Sequence, residues 1–225
     1  MNYGGSFGEN IVKKGLDQGS ILIDIYEPLR WATGHLMPID VRMDAILSDY
    51  SQREMIREGL RYKIRDLADC MVVEVGNTIT GGVGVADHLQ TKIMRVKENP
   101  EHYELEDRIS GLNKGEVLPG SRILIVAGTI STAETVVQGV ECVRGAGGRC
   151  EHVLSLFDYG FEEAKQRLRI SGCETRSLVK YGDLLKVLNE RDSDAATDLI
   201  PELEKWHADP FNWWENKKKE LERAS

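Results

Sequence analysis

The sequence predicts an α/β fold: a doubly wound, mainly parallel sheet with a small N-terminal hood. Three observations carry this. Residues 123–126 (Ile-Leu-Ile-Val) form a short apolar run of the kind a central parallel strand requires, and Met71-Val72-Val73-Glu74-Val75 is a second buried strand. Each is followed by a turn rich in glycine or hydroxyl groups. Each turn then opens a helical apolar period, Val83, Val85, Ala86 and Leu89 in one case and Val136, Val137 and Val140 in the other.

Taken in order, residues 1–10 read as a flexible tail, glycine-rich and polar over their first eight positions, and residues 10–18 as a short helix. A strand is expected over 21–26, and two strands joined by a turn at Thr33-Gly34 over 28–42. Met55, Ile56, Leu60, Ile64 and Leu67 predict a helix over 50–67. After a strand at 93–96 the chain turns polar from Lys97 to Leu118, with Pro100, Gly111 and Gly115 as punctuation; a stretch of that length reads as a mobile loop or a hairpin. Further strands are expected at 150–157 and, as a short edge strand, at 175–178. Helices are expected from Thr135 to near Gly145, at 161–169 and at 182–188. Trp206, Trp213 and Trp214 carry too much aromatic area to leave in water, so residues 200–225 are expected to dock as a C-terminal helix.

The chain has 225 residues, enough for one α/β domain, and no linker divides it. No apolar run approaches the roughly 20 residues of a membrane helix. The first residues lack the basic and apolar regions of a signal peptide, which makes the cytoplasm the default location. A net charge of −8 argues against a general nucleic-acid surface, and Lys217-Lys218-Lys219 is followed at once by Glu220 and Glu222. Cys70, Cys142, Cys150 and Cys173 form no C-x-x-C pair and the histidines are scattered, so no metal site is expected. Cys70 and Cys142 sit in apolar stretches and read as buried thiols.

The turn after residue 126 is where a ligand belongs, because the crevice beyond the carboxyl ends of parallel strands is lined by helix N-termini. Its hydroxyls are Thr129, Ser131, Thr132 and Thr135, and the other turn adds Thr78 and Thr80 beside Gly81 and Gly82. No histidine stands beside a serine or cysteine in a way that suggests a nucleophile triad. Ser131-x-x-Glu134 has the spacing of a capping box, in which the helix would cap itself; in the alternative, Glu134 swings outward and the loop still binds a phosphate.

The order of these parts resembles the type I phosphoribosyltransferases, and within them orotate phosphoribosyltransferase. The resemblance rests on Trp31-Ala32-Thr33-Gly34-His35-Leu36-Met37-Pro38-Ile39, on Thr80-Gly81-Gly82 as a pyrophosphate loop, on 123–135 as the phosphoribosyl pyrophosphate (PRPP) signature, and on 157–162 with 206–210. It implies a dimeric enzyme that joins orotate to PRPP, with Mg²⁺ needed only if PRPP is bound. It also implies a pocket for a base or nucleotide built from Thr80, Gly81, Gly82, Thr129, Ser131, Thr132, Ala133, Glu134 and Thr135. The family's two adjacent acids fall on Ala127 and Gly128, its Thr-Thr-Gly-Gly on Ser131-Thr132-Ala133-Glu134, and its mobile-loop cations on Arg95, Lys97 and His102. Loss of the acid pair points to a relative that binds a ligand or serves structurally with impaired transfer; the alternative is an active orotate phosphoribosyltransferase.

Overall fold

The computed structural model describes residues 6–31, 34–76, 81–104, 107–112, 118–191 and 193–224. The chain opens with α1 (Phe7–Asp17), whose N-cap Ser6 accepts a hydrogen bond from the Glu9 N–H, so a capped helix replaces the last part of the expected tail. The hood consists of two antiparallel pairs. In one, β1 (Ile21–Ile23) pairs with β4 (Ile39–Val41); in the other, β2 (Leu29–Arg30) pairs with β3 (Leu36–Met37). The strand expected over 21–26 ends at Ile23, because the Asp24 carboxylate folds the next residues into a turn by accepting from the N–H groups of Tyr26 and Glu27. Two helices follow, the short α2 (Met43–Ser48) and α3 (Tyr50–Ile64), the latter capped by Asp49. Nothing in the apolar period had suggested α2.

The main sheet contains β5 (Met71–Val75), β6 (Ile93–Val96), β7 (Ile109–Ser110), β8 (Arg122–Ile130), β9 (Arg149–Asp158) and β10 (Glu174–Lys180) in the order β10-β9-β8-β5-β6-β7. All its pairings are parallel except β6 with β7. Between β6 and β7, Pro100–His102 make a 3-10 turn, so part of the polar excursion is ordered as a hairpin; residues 105–106 and 113–117 of it lie outside the described residues. The helices α4 (Gly82–Leu89), α5 (Glu134–Gly145) and α6 (Glu162–Ile170) make crossovers between parallel strands, and α7 (Tyr181–Arg191) follows the last strand. A Cβ at Gly139 of α5 would stand 2.4 Å from Val75 Cγ1, so this glycine lets α5 lie close against β5 and fixes where its N-terminus points.

The C-terminal segment is two helices, α8 (Ser193–Ala208) and α9 (Trp213–Ala224), where one was expected; the chain breaks between them at residues 209–212. Trp206 is fully buried among Tyr159, Phe161 and Tyr181, and its Nε1 lies 3.1 Å from Met37 Sδ in the hood. One indole therefore ties α8, the end of β9 and the hood together.

Candidate functional site

The strand order reverses between β5 and β8, the one leading to β6 and the other to β9, and the crevice for a ligand opens at their carboxyl ends. Strand β8 is longer than the apolar run suggested. Val75 pairs with Ala127 as the last residue of β5, while β8 continues alongside β9 through Thr129↔Phe157 and Ile130↔Asp158. Ala127 and Gly128 are thus buried within the strand, and the turn proper is Ser131-Thr132-Ala133.

That turn is not a capping box. The N-cap of α5 is Ala133, in the left-handed region at φ 62°, and no side chain caps the helix. Glu134 is the first helical residue; its side chain is 81% exposed and faces Arg167 Nη1 at 4.0 Å. With a left-handed residue closing the turn, the Ser131 hydroxyl and the Glu134 carboxylate are not brought into the reciprocal arrangement that the spacing allowed. Of the two arrangements, the structure has the outward Glu134. Among the described residues, the N–H groups of Glu134, Thr135 and Val136 have no protein acceptor, so the start of α5 presents donors to the crevice.

The opposite wall is built around Glu74, which sequence reasoning passed over although it is a lone acid in an otherwise apolar strand. Glu74 is buried; its Oε1 accepts from the Gly82 N–H at 3.1 Å and its Oε2 from Arg95 Nη2 at 3.1 Å. Gly82 cannot carry a side chain, since a Cβ there would meet Glu74 at 2.6 Å. Gly81, at φ 76°, caps α4 in the left-handed region. Thr80, with Thr78, lies outside the described residues.

A cavity of about 200 Å³ occupies the crevice, with Gly76, Lys97, Glu98, Asn99, Thr135 and Gln138 on its wall. Gln138 donates to Glu101 Oε2 at 3.0 Å, which fastens the 3-10 turn to α5 and closes that side. The structure brings Thr135 and Lys97 to one cavity, with Lys97 Nζ 4.3 Å from the centre of the Tyr103 ring. It commits Arg95 to Glu74. His102 points away, 73% exposed and 4.0 Å from Glu101. A larger cavity of about 550 Å³ lies among α2, α3 and α4; most of its exposed wall is apolar, so the smaller, polar one is the better match to an anionic ligand.

No protein-family model matches the chain. Among curated proteins it is similar to the orotate phosphoribosyltransferases of Cytophaga hutchinsonii (26% identical, 83% of this chain and 88% of that protein), Halalkalibacterium halodurans (26%, 90% and 95%) and Listeria monocytogenes (24%, 92% and 99%). Along most of its length the chain is thus similar to orotate phosphoribosyltransferases. Solved structures agree on the fold. The orotate phosphoribosyltransferase of Aeropyrum pernix superposes with a TM-score of 0.63 at 19% identity, over 80% of this chain and 98% of that one. The UMP synthase of Leishmania donovani gives 0.68 at 17% identity, and there the chain spans 42% of the neighbour's length.

The β8–α5 turn keeps a left-handed residue and exposed donors, the features a phosphate needs. Ala127 and Gly128, near the end of β8, offer no carboxylate. A polar cluster lies beside them instead: Ser155, register partner of Ala127, bonds Ser177 at 2.9 Å, and Ser177 donates to Asp158 Oδ2 at 3.2 Å. The similarity over 83–92% of the chain supports an orotate phosphoribosyltransferase-like function and gives no support to a loss of transfer.

Proposed function

We propose that the chain acts as an orotate phosphoribosyltransferase, taking the ribose 5-phosphate group of PRPP and joining it to orotate, in the cytoplasm and as a homodimer. What supports the reading is the agreement along nearly the whole chain with relatives of that name, together with a β8–α5 turn whose N–H groups face the crevice. In this reading the donors at the start of α5 and the hydroxyls of Ser131, Thr132 and Thr135 take the 5′-phosphate, and Lys97 stands nearest to the charge that develops on the leaving pyrophosphate. Among the described residues no three His, Cys, Asp or Glu side chains converge as a metal cage. The donor set fits a Mg²⁺ that arrives on the oxygens of PRPP, with Glu98 able to add one carboxylate ligand; its chemistry would be to neutralise the pyrophosphate. Among the described residues no helix is long and apolar enough to cross a membrane.

Ala127 and Gly128 favour a second reading, ligand binding without turnover, since the ribose hydroxyls would lack the carboxylates that the family resemblance implies for them. One experiment separates the two. The protein is incubated with orotate, PRPP and Mg²⁺ and the orotate absorbance is followed. A steady loss supports transfer; no loss, with PRPP binding detected by calorimetry, supports the second reading, and neither loss nor binding rejects both.

A further inference from the structure

At the other end of the sheet, away from the crevice, two thiols meet. Cys150 is the second residue of β9 and Cys173 directly precedes β10. The β9–β10 register starts at Glu174↔His152, so Cys173 falls level with Glu151 and diagonal to Cys150. Regular strands, with a spacing of about 4.8 Å and a rise of about 3.3 Å, would put the Cα atoms of such a diagonal pair about 5.8 Å apart, inside the range of about 4.4–6.8 Å that a disulfide spans. In a regular strand Cys150 would share the face of His152, opposite to Cys173. The register against β8 shifts here, with Ile123 pairing with Cys150 and Leu124 with His152, which leaves Glu151 as the extra residue and breaks that alternation; Cys173 Sγ lies 3.6 Å from the Cys150 carbonyl oxygen.

The surroundings of the two sulfurs differ. Cys150 is 1% exposed, whereas Cys173 is partly open to solvent. Arg144, in the last turn of α5, reaches both: its Nη2 is 2.8 Å from the Cys150 carbonyl oxygen and 3.7 Å from Cys173 Sγ. The neighbouring Cys150 thiol, then Ser171 and the Arg144 guanidinium, lower the Cys173 pKa against the effect of partial burial; the neighbouring Cys173 and burial raise that of Cys150. Cys70 and Cys142 are buried, and burial raises both.

We propose that Cys173 and Cys150 form a hydroperoxide-reactive dithiol, with Cys173 as the attacking sulfur and Cys150 as the resolving one. The Cys173 thiolate attacks one peroxide oxygen, the O–O bond breaks, and the other oxygen leaves as water or an alcohol after taking up the proton the thiol had lost. Cys173 is then a sulfenic acid. The Cys150 sulfur attacks that sulfur, the S–O bond breaks, and water leaves with the Cys150 proton. The two thiols have lost two electrons and two protons to the peroxide, and a disulfide ties β10 to β9. This chemistry is independent of orotate and PRPP.

The full-length protein, treated with hydrogen peroxide at neutral pH and mapped as peptides without reduction, tests this. The expected result is a linked Cys150–Cys173 peptide lighter by two hydrogen atoms and separated again by dithiothreitol, with Cys70 and Cys142 still thiols. In Cys150→Ser, Cys173 should stop at a sulfenic acid captured by dimedone; should that variant not fold, the wild-type map decides alone. Cys173 reacting no faster than Cys70 and Cys142, or oxidising without linkage to Cys150, overturns the proposal.

Discussion

Glu74 and Arg95, register partners on neighbouring strands, are joined by a 3.1 Å ion pair at the floor of the crevice, and the same carboxylate takes the Gly82 N–H. The N-terminus of α4 therefore has a buried internal anion, while at that of α5 the only first-turn acid, Glu134, is turned outward. Removing Glu74 leaves Gly82 and Arg95 to find other acceptors, and hydrogen bonds to a charged group contribute about 1.5–3 kcal/mol each when buried. Glu74→Ala should lower stability by about that amount in urea titrations, whereas Arg95→Ala, with a half-exposed side chain, should cost under about 1 kcal/mol. Equal costs for the two would mean that the Gly82 bond contributes nothing.

Ala133 sits at φ 62°, where an L-residue is strained by about 1–2 kcal/mol and glycine is not. Glycine also loses more chain entropy on folding, which offsets part of the gain. Ala133→Gly should therefore raise stability by about 0.5–1 kcal/mol, seen as a higher melting temperature. A lower one would mean that the Ala133 methyl, 4% exposed, contributes more through packing than the backbone loses through strain.

Trp206 is the largest fully buried side chain, and it joins three parts of the fold. Trp206→Ala should cost about 3–5 kcal/mol. Near-ultraviolet dichroism should also show looser packing around Tyr159 and Phe161, whose rings lie 5.9 and 5.3 Å from the indole. If stability falls but the signals of both rings stay unchanged, α8 is held by other contacts.

Asp49 caps α3 and also meets Lys14 at 2.9 Å. The hydrogen bond with Lys14, then those from the Gln52 N–H and the Ser51 hydroxyl, hold its pKa well below the usual 3.8. A group lowered on folding stabilises fully above its unfolded pKa, and that contribution fades as the pH falls from about 4 toward the folded value. Asp49→Asn keeps a capping acceptor without the charge. Its melting temperature should fall less steeply than that of the wild type between about pH 5 and pH 2; parallel curves would show that Asp49 is not linked to acid unfolding.

Much of the scaffold was legible because hydrophobic period and turn chemistry act locally. Residues 71–75 and 93–96 form strands with the expected bounds, and the β2–β3 pair follows from extended residues on either side of a turn, of which Thr33 lies outside the described residues; the pairing of β4 with β1 was not expected. What was not legible depends on partners far along the chain. Strand β8 extends to Ile130 because β9 is long enough to pair with it, a fact that no local pattern around Thr129 carries. Ser131-x-x-Glu134 matches a capping box in spacing, but the left-handed backbone of Ala133 decides otherwise. Glu74 became visible as a site residue only once Gly82 and Arg95 were seen to converge on it, and the closeness of Cys150 and Cys173 only once β9 and β10 were paired.

Glu134 gives the most direct measure of what the α5 N-terminus does. Its carboxylate stands at the mouth of the turn, largely exposed and opposite Arg167. An incoming phosphate is attracted by the helix N-terminus and repelled by this charge, each by about 0.3–1 kcal/mol at low salt. Glu134→Gln should therefore tighten binding of ribose 5-phosphate by about two- to fivefold in calorimetry, and the gain should shrink as salt is raised toward a Debye length of about 8 Å. Because Glu134 makes no cap, folding stability should change by less than about 1 kcal/mol. A large loss of stability would restore a capping role to Glu134, and an affinity that does not respond to the substitution would place the phosphate elsewhere than at the start of α5.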